Sequence, residues 1–316
     1  MTKFLLRLAA FVLAALVLFM GVLGLSALGP FSEIFAKLTA STGYSASASE
    51  EIGAHITAVQ AQDGATALIL GDSVCWQVFG PFSLCNTAYR IDGSNRAVTL
   101  AGQYLLAKAF LDAHPDATDV YLIITPDSFS AGFDAGYGYQ YAAAPFAAAG
   151  LLGGLDDTTR AELTAAYGAP FLTGTFARWA DASPLVKKLY LNALEVWQPA
   201  AAQSGPLVPL ARRNLENLEA LCRERGAAFH LLCAPLADSE DRHTAMASLE
   251  QAFRDAGLYD SYSAYFTQAP WYDRALFGED GVHFDNATAD MDFYARVIGE
   301  IQNATGLLDG LVLSYD

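Results

Sequence analysis

Three short apolar runs, each followed by a residue that ends a strand, set the tightest limit on the fold. Ala67-Leu68-Ile69-Leu70 stops at Gly71, Val120 to Thr125 stops at Pro126, and Ala228 to Cys233 runs up to Pro235. Runs of this length without polar alternation suit strands buried on both faces of a parallel sheet. Val98-Thr99-Leu100, closed by Gly102, reads as a weaker strand between the first two. Helical patterns fall between and after them. Tyr104 to Ala113 carries an apolar face of Leu105, Leu106, Ala109 and Phe110, Leu210 to Arg225 ends at Gly226 as at a C-cap, and a last helix is expected over Ala287–Asn303. This alternation predicts an α/β domain with a parallel sheet covered on both faces. Ligands of such sheets sit beyond the carboxyl ends of the strands, which places Ser73, Gly102, Asp127 and Pro235 along one rim.

The N-terminus obeys a different rule. Lys3 and Arg7 precede an uncharged stretch from Leu8 to Gly29, and as a helix it would measure about 33 Å against a hydrocarbon core of about 30 Å. It is longer than a signal-peptide core, and Ser26-Ala27-Leu28 is a poor cleavage context. Residues 1–29 are therefore read as an uncleaved signal anchor, with a cleaved signal peptide as the alternative. The positive-inside rule puts Lys3 and Arg7 in the cytoplasm and the rest of the chain outside a cell membrane, as a single-pass protein. Residues 30–62 read as a stalk. Within it Phe31, Ile34, Phe35 and Leu38 have helical spacing, suited either to lie at the membrane surface or to begin the fold, and Ser45 to Ser49 has linker composition. Ser49 is placed to cap a short helix reaching Val59, with Glu50 and Glu51 in its first turn. The folded domain is assigned to 63–316.

Every acidic residue lies at Glu33 or later, and the chain has a net charge of −16. Subtracting the two positive charges of Lys3 and Arg7 leaves −18 for the outer part. A surface this acidic argues against nucleic acid as a partner and against lying flat on anionic lipid. Cys75, Cys85, Cys222 and Cys233 lack metal-ligand spacing. Cys75–Cys85 and Cys222–Cys233 are the nearest pairs for disulfides, and buried free thiols are the other reading. From about 129 to 209 the strand–helix rhythm breaks. Tyr137, Tyr139, Tyr141, Phe146, Trp179 and Trp197 sit there among alanines and glycines. An insertion this long needs helices of its own; it can serve as a lid, a substrate platform or added core.

Gly71-Asp72-Ser73 follows the first strand directly. Glycine permits a sharp turn, and serine then opens the next helix, where its own N–H faces an oxygen that develops charge on an attacked carbonyl. Asp280-Gly281-Val282-His283 lies just before the last helix. A serine hydroxyl needs a base, and the base needs a partner on its other ring nitrogen. A carboxylate three residues before a histidine supplies both from one loop, although an acidic loop with an incidental histidine fits the residues as well.

In this order the two blocks resemble the SGNH (GDSL-type) hydrolase superfamily, over about residues 65 to 303. The resemblance implies a flavodoxin-like three-layer α/β/α fold with Ser73 as nucleophile, His283 as base and Asp280 as its orienting partner. It implies an oxyanion hole formed by the N–H groups of Ser73 and Gly102, the latter in Leu100-Ala101-Gly102-Gln103, where a plain tight turn is the other reading. The third block departs from the family. Where many members have Gly-x-Asn-Asp, this chain has Thr125-Pro126-Asp127-Ser128, and loss of one oxyanion donor costs about 2.7–4 kcal/mol. With the anchor, that departure is similar to the membrane-bound branch that includes the teichoic-acid D-alanylation and alginate acetylation proteins.

The expected activity is extracytoplasmic O-acyl transfer to a cell-envelope polymer or glycan through an acyl-Ser73 intermediate, with no cofactor. An acyl donor and a glycan acceptor are the expected partners, and the resemblance adds a membrane-bound O-acyltransferase. A plain esterase and a non-catalytic scaffold are the rival readings. Weaker candidates are Cys75 as an activated thiol and a metal site from Asp72, Asp280, Asp285 and His283. His55, His114, His230 and His243 are read as surface or structural.

Overall fold

The computed structural model describes residues 2–39, 48–85, 88–93, 99–134, 137–197 and 205–313. Two helices, α1 (Thr2–Leu25) and α2 (Gly29–Thr39), precede α3 (Ala48–Val59). The sheet is built from β1 (Ala67–Gly71), β2 (Tyr89–Gly93), β3 (Asp119–Ile124) and β4 (Ala228–Cys233). Its strand order is β2-β1-β3-β4 and every pairing is parallel. Helix α4 (Ser73–Phe79) follows β1, and α5 (Leu100–Ala113) lies between β2 and β3. The long segment before β4 holds α6 (Ala144–Ala148), α7 (Asp157–Tyr167), α8 (Gly174–Ala182), α9 (Pro184–Trp197) and α10 (Pro209–Arg225). After β4 come β5 (Leu236–Asp238), α11 (Glu240–Asp255), α12 (Tyr259–Thr267), β6 (Trp271–Asp273) and α13 (Met291–Thr305). β5 and β6 form a second, two-stranded parallel sheet.

Successive residues of a strand point to opposite faces, and the burial here follows that rule. Leu68, Leu70, Val120 and Leu122 join one core cluster with Ile52, Phe110 and Leu215. Their neighbours Ile69, Tyr121 and Ile123 join another, with Val74, Phe79, Val297 and Ile298. A strand buried throughout, as β1 is, has no solvent face to vary, and truncating one of its leucines to alanine costs about 2–5 kcal/mol.

Several expectations are revised. Val98 lies outside the described residues, while Thr99 and Leu100 are not a strand. Thr99 is the N-cap of α5, its hydroxyl accepting from the Gly102 N–H, and Leu100 begins that helix. A β-branched residue with an oxygen suits either role, and here the cap prevails. The second strand is instead Tyr89–Gly93, hidden from a reading of apolar runs by two charges. Arg90 pairs with Asp63, and the buried Asp92 meets His55 Nδ1 at 2.5 Å. The last helix starts at Met291 rather than Ala287, because Asp290 caps it through the Phe293 N–H. Helix α3 begins at Ala48, so Ser49 is inside it. Ile52, Ile56 and Val59 are buried in the core, so the folded unit begins before residue 63. Residues 40–47, with Ser45, Ala46 and Ser47 of the linker, lie outside the described residues. Gly226 ends α10 in the left-handed conformation, at φ +78°.

Helix α1 is apolar and long enough to cross a membrane, with a mean hydropathy of 2.7. Apart from Leu23 its residues are exposed. The insertion is mainly added core: Tyr139, Tyr141 and Phe146 are buried in the same cluster as Leu68 and Leu70. Tyr137 and Trp197 stay exposed. Cys75, Cys222 and Cys233 are buried free thiols, so neither of the nearest pairings forms; the Cys85 side chain is outside the described residues.

Candidate active site

The turn after β1 is so tight that only glycine fits at its corner. A Cβ on Gly71 would lie 2.1 Å from the Ile123 carbonyl oxygen and 2.3 Å from Cys75 Cβ. On the neighbouring strand, a Cβ on Gly93 would lie 2.6 Å from the Trp76 nitrogen. Together the two glycines let α4 start hard against the sheet. Asp72 caps the helix: its Oδ1 accepts from the N–H of Val74 at 3.0 Å and of Cys75 at 3.3 Å. Its Oδ2 accepts from the Thr125 N–H at 2.7 Å, the Thr125 hydroxyl at 2.8 Å and the Ser128 hydroxyl at 2.9 Å. Gln103 Nε2 adds a bond to the Gly71 carbonyl at 2.8 Å. Ser73 is thus presented from a turn fastened to β3 and to α5.

The second half of the site is the loop ahead of α13. Phe277 and Phe284 form an antiparallel bridge, and the Gly278 N–H donates to the His283 carbonyl at 2.9 Å. Gly281, at φ +65°, makes the reversal that a side chain would oppose. Asp280 Oδ1 accepts from the N–H groups of Val282 at 2.9 Å and His283 at 3.1 Å. Its Oδ2 lies 2.7 Å from His283 Nδ1. On the far side of the ring, His283 Nε2 lies 2.7 Å from Ser73 Oγ. The three side chains expected to cooperate are in hydrogen-bonded sequence. Partial burial of Asp280 works against its charged form. The imidazole and the two N–H groups outweigh that, and its pKa falls to about 2.

Gln77 joins these halves and was not foreseen. It lies one helical turn beyond Ser73 on α4 and is buried. Its Nε2 donates to the Phe284 carbonyl at 2.8 Å, and its Oε1 accepts the Phe284 N–H at 2.9 Å. The same Nε2 is 3.2 Å from Asn286 Oδ1. The signal available in the sequence was a lone amide in the otherwise apolar Val74-Cys75-Trp76-Gln77-Val78-Phe79.

The remaining candidates fall elsewhere. Gly102, expected to offer an oxyanion N–H, is buried in the first turn of α5, and that N–H is directed at Thr99 Oγ1 at 3.4 Å. The helix cap takes the donor. In the third block, Thr125 and Ser128 serve Asp72, and the exposed Asp127 pairs with Arg242. Cys75 is fully buried, and burial, with Asp72 and Asp92 nearby, pushes its thiol pKa well up. Pro235 has no part in these contacts beyond leading the chain from β4 to β5. Asp285 Oδ1 accepts from the Ala287 N–H. Among the described residues no group of three or more His, Cys, Asp or Glu is placed to hold a metal. The other histidines pair singly with carboxylates: His55 with Asp92, His114 with Asp63, His230 with Asp119 and His243 with Asp238.

No family model, curated protein or solved structure matches the chain.

Proposed function

We propose that the chain is an SGNH-type serine enzyme that transfers an acyl group outside the cell membrane to a hydroxyl of an envelope polymer or glycan. The observation that carries this reading is the pair of 2.7 Å contacts on either side of the His283 ring. Neutral His283 accepts the Ser73 proton at Nε2 while its Nδ1–H donates to Asp280. The Ser73 oxygen attacks the donor's carbonyl carbon, and the N–H at the start of α4 faces the resulting oxyanion. His283 returns the proton to the departing group, leaving acyl-Ser73. It then takes a proton from the acceptor hydroxyl, whose oxygen attacks the acyl carbon and displaces Ser73 Oγ, to which His283 returns that proton.

The strand order β2-β1-β3-β4 supports the flavodoxin-like three-layer form of the fold. Ser73 follows β1, where the order reverses between β1 and β3, and open parallel sheets bind ligands at that point. In this reading α1 anchors the chain in the membrane with Lys3 and Arg7 inside, and a membrane-bound O-acyltransferase delivers the acyl group.

One observation favours the esterase as second reading. The side chains of His283 and Asp280 are 41% and 52% exposed, so water reaches the acyl-serine as readily as a sugar does. The deciding experiment incubates the full chain in detergent with a small acetyl ester, with and without a glycan acceptor. Mass spectrometry then follows acyl-Ser73 and acylated glycan. An adduct discharged faster by the glycan supports transfer, and one discharged equally fast without it supports hydrolysis. No adduct, with equal turnover by Ser73→Ala, overturns both.

A further inference from the structure

Helix α1 does not end free of the domain. Leu23 is buried against Ala180 and Val186, which belong to α8 and α9. Three residues on, Ser26 is wholly buried; its hydroxyl donates to the Leu23 carbonyl at 2.7 Å and shares a hydrogen bond with the Ser183 hydroxyl. Ser183 Oγ in turn accepts from the Val186 N–H at 3.2 Å, in the first turn of α9. The last turn of the apolar helix and the first turn of α9 are therefore one packed unit. Leu23 lies within about 5 Å of rise from the end of α1. The junction of α8 and α9 must then stand where the chain leaves the hydrocarbon.

From that level two helices extend that pack against each other, α2 and α9. Phe31, Ile34 and Leu38 form one stripe of α2 at spacings i, i+3 and i+7, and all three are exposed. Leu189, Val196 and Trp197 form a stripe of α9 at i, i+7 and i+8; they too are exposed, Val196 by 77% and Trp197 by 66%. Tyr190, Leu191 and Leu194 of α9 lie in the main core, so its buried side is settled.

We propose that α2 and α9 form a platform that rests in a phospholipid surface and seats the domain against the bilayer. The proposal rests on the reading of α1 as a membrane anchor. Covalent and packing continuity with α1 choose the occupant. Standing upright, these helices would hold six large apolar side chains in water. Lying in the membrane plane, they put them about 5–10 Å deep at the headgroup boundary. Tryptophan favours that boundary, and the exposed Lys37 reaches the phosphates with its flexible stem.

The test places the full chain in phosphatidylcholine nanodiscs and compares plain lipid with lipid brominated near the headgroup, a contact quencher of tryptophan. The chain has four tryptophans, so the wild type is compared with Trp197→Phe, a conservative change at an exposed position. Bromolipid is expected to quench the wild type, and the quenched component is expected to fall by about half or more when Trp197 is replaced. Aqueous iodide is expected to leave Trp197 untouched. Quenching of Trp197 by iodide, or by neither reagent because protein covers it, overturns the platform while leaving the anchor intact. Release of the chain from liposomes by carbonate overturns the anchor reading, and the platform with it.

Discussion

Gln77 and Phe284, 207 residues apart in the chain, are held amide to amide by two hydrogen bonds of 2.8 and 2.9 Å. The bond pair fixes the loop that carries His283 relative to the helix that carries Ser73. A misplacement of about 1 Å at a reacting group costs up to about a hundredfold in rate.

Replacing Gln77 by alanine therefore lowers kcat by about ten- to a hundredfold with little change in KM, and it lowers stability by about 1–3 kcal/mol through the buried groups it leaves unpaired. Gln77→Glu keeps the acceptor for the Phe284 N–H but sets an oxygen against the Phe284 carbonyl, so it falls no less. Steady-state kinetics beside a urea melt separates the two effects. Wild-type kcat in both variants would show that the loop finds its place unaided.

Ser73→Ala and His283→Ala are each expected to cut ester turnover by orders of magnitude, and the double variant to be no slower than either single one. The two groups act as one unit, so the losses do not add. Single-turnover mass spectrometry reads this directly; additive losses would show two independent contributions.

Asp280→Asn leaves the loop folded but presents an amide where His283 needs an acceptor for its Nδ1 proton. The expected drop in kcat is two to four orders of magnitude, about the loss seen when a triad carboxylate is made neutral. Comparing the rates of the two proteins on one ester substrate checks it.

The pKa of about 2 at Asp280 lies below the ordinary value of 3.8. A carboxyl whose folded-state pKa is depressed stabilises the fold fully above its unfolded value, and that contribution is lost as pH falls from about 3.8 through about 2. Carbon NMR of labelled aspartate is expected to give a midpoint near 2 for this residue, and Asp280→Asn removes that part of the acid dependence. A midpoint at the ordinary value would mean that the imidazole and N–H bonds are absent in solution.

Gly71→Ala is destabilised at or beyond the upper end of the about 1–3 kcal/mol typical of overpacking, because its Cβ would meet the Ile123 carbonyl oxygen at 2.1 Å. Gly299→Ala, in α13 with nothing within 4 Å, is expected to gain about 0.4–1 kcal/mol. Chemical denaturation of both variants is the measurement, and similar values for the two would contradict the close packing at the turn before Ser73.

What the sequence made legible follows from physics that acts over a few residues. The strands around Leu68, Leu122 and Leu231 announce themselves because they are short, mostly apolar runs, with His230 the polar exception. Asp280 and His283 share a loop, so their pairing is local. Residues 89–93 escaped because Arg90 and Asp92 find partners in Asp63 and His55, which are distant in sequence. Gln77 escaped for the same reason: an amide reveals its purpose only when the backbone it grips comes into view. Thr99 was misread because one side chain suits both a strand and a helix cap, and neighbouring residues decide which.

Burial raises the thiol pKa of Cys75 well above the ordinary value and that of Cys222 to about 12. Once folded, the described domain holds these sulfurs as oily filler, inert to oxidants and needing no covalent clasp. The hazard comes earlier, while an emerging chain still exposes them to its own copies and to foreign sulfhydryls. Burial of these sulfurs in the folded core is then what guards the described domain against mispaired sulfur.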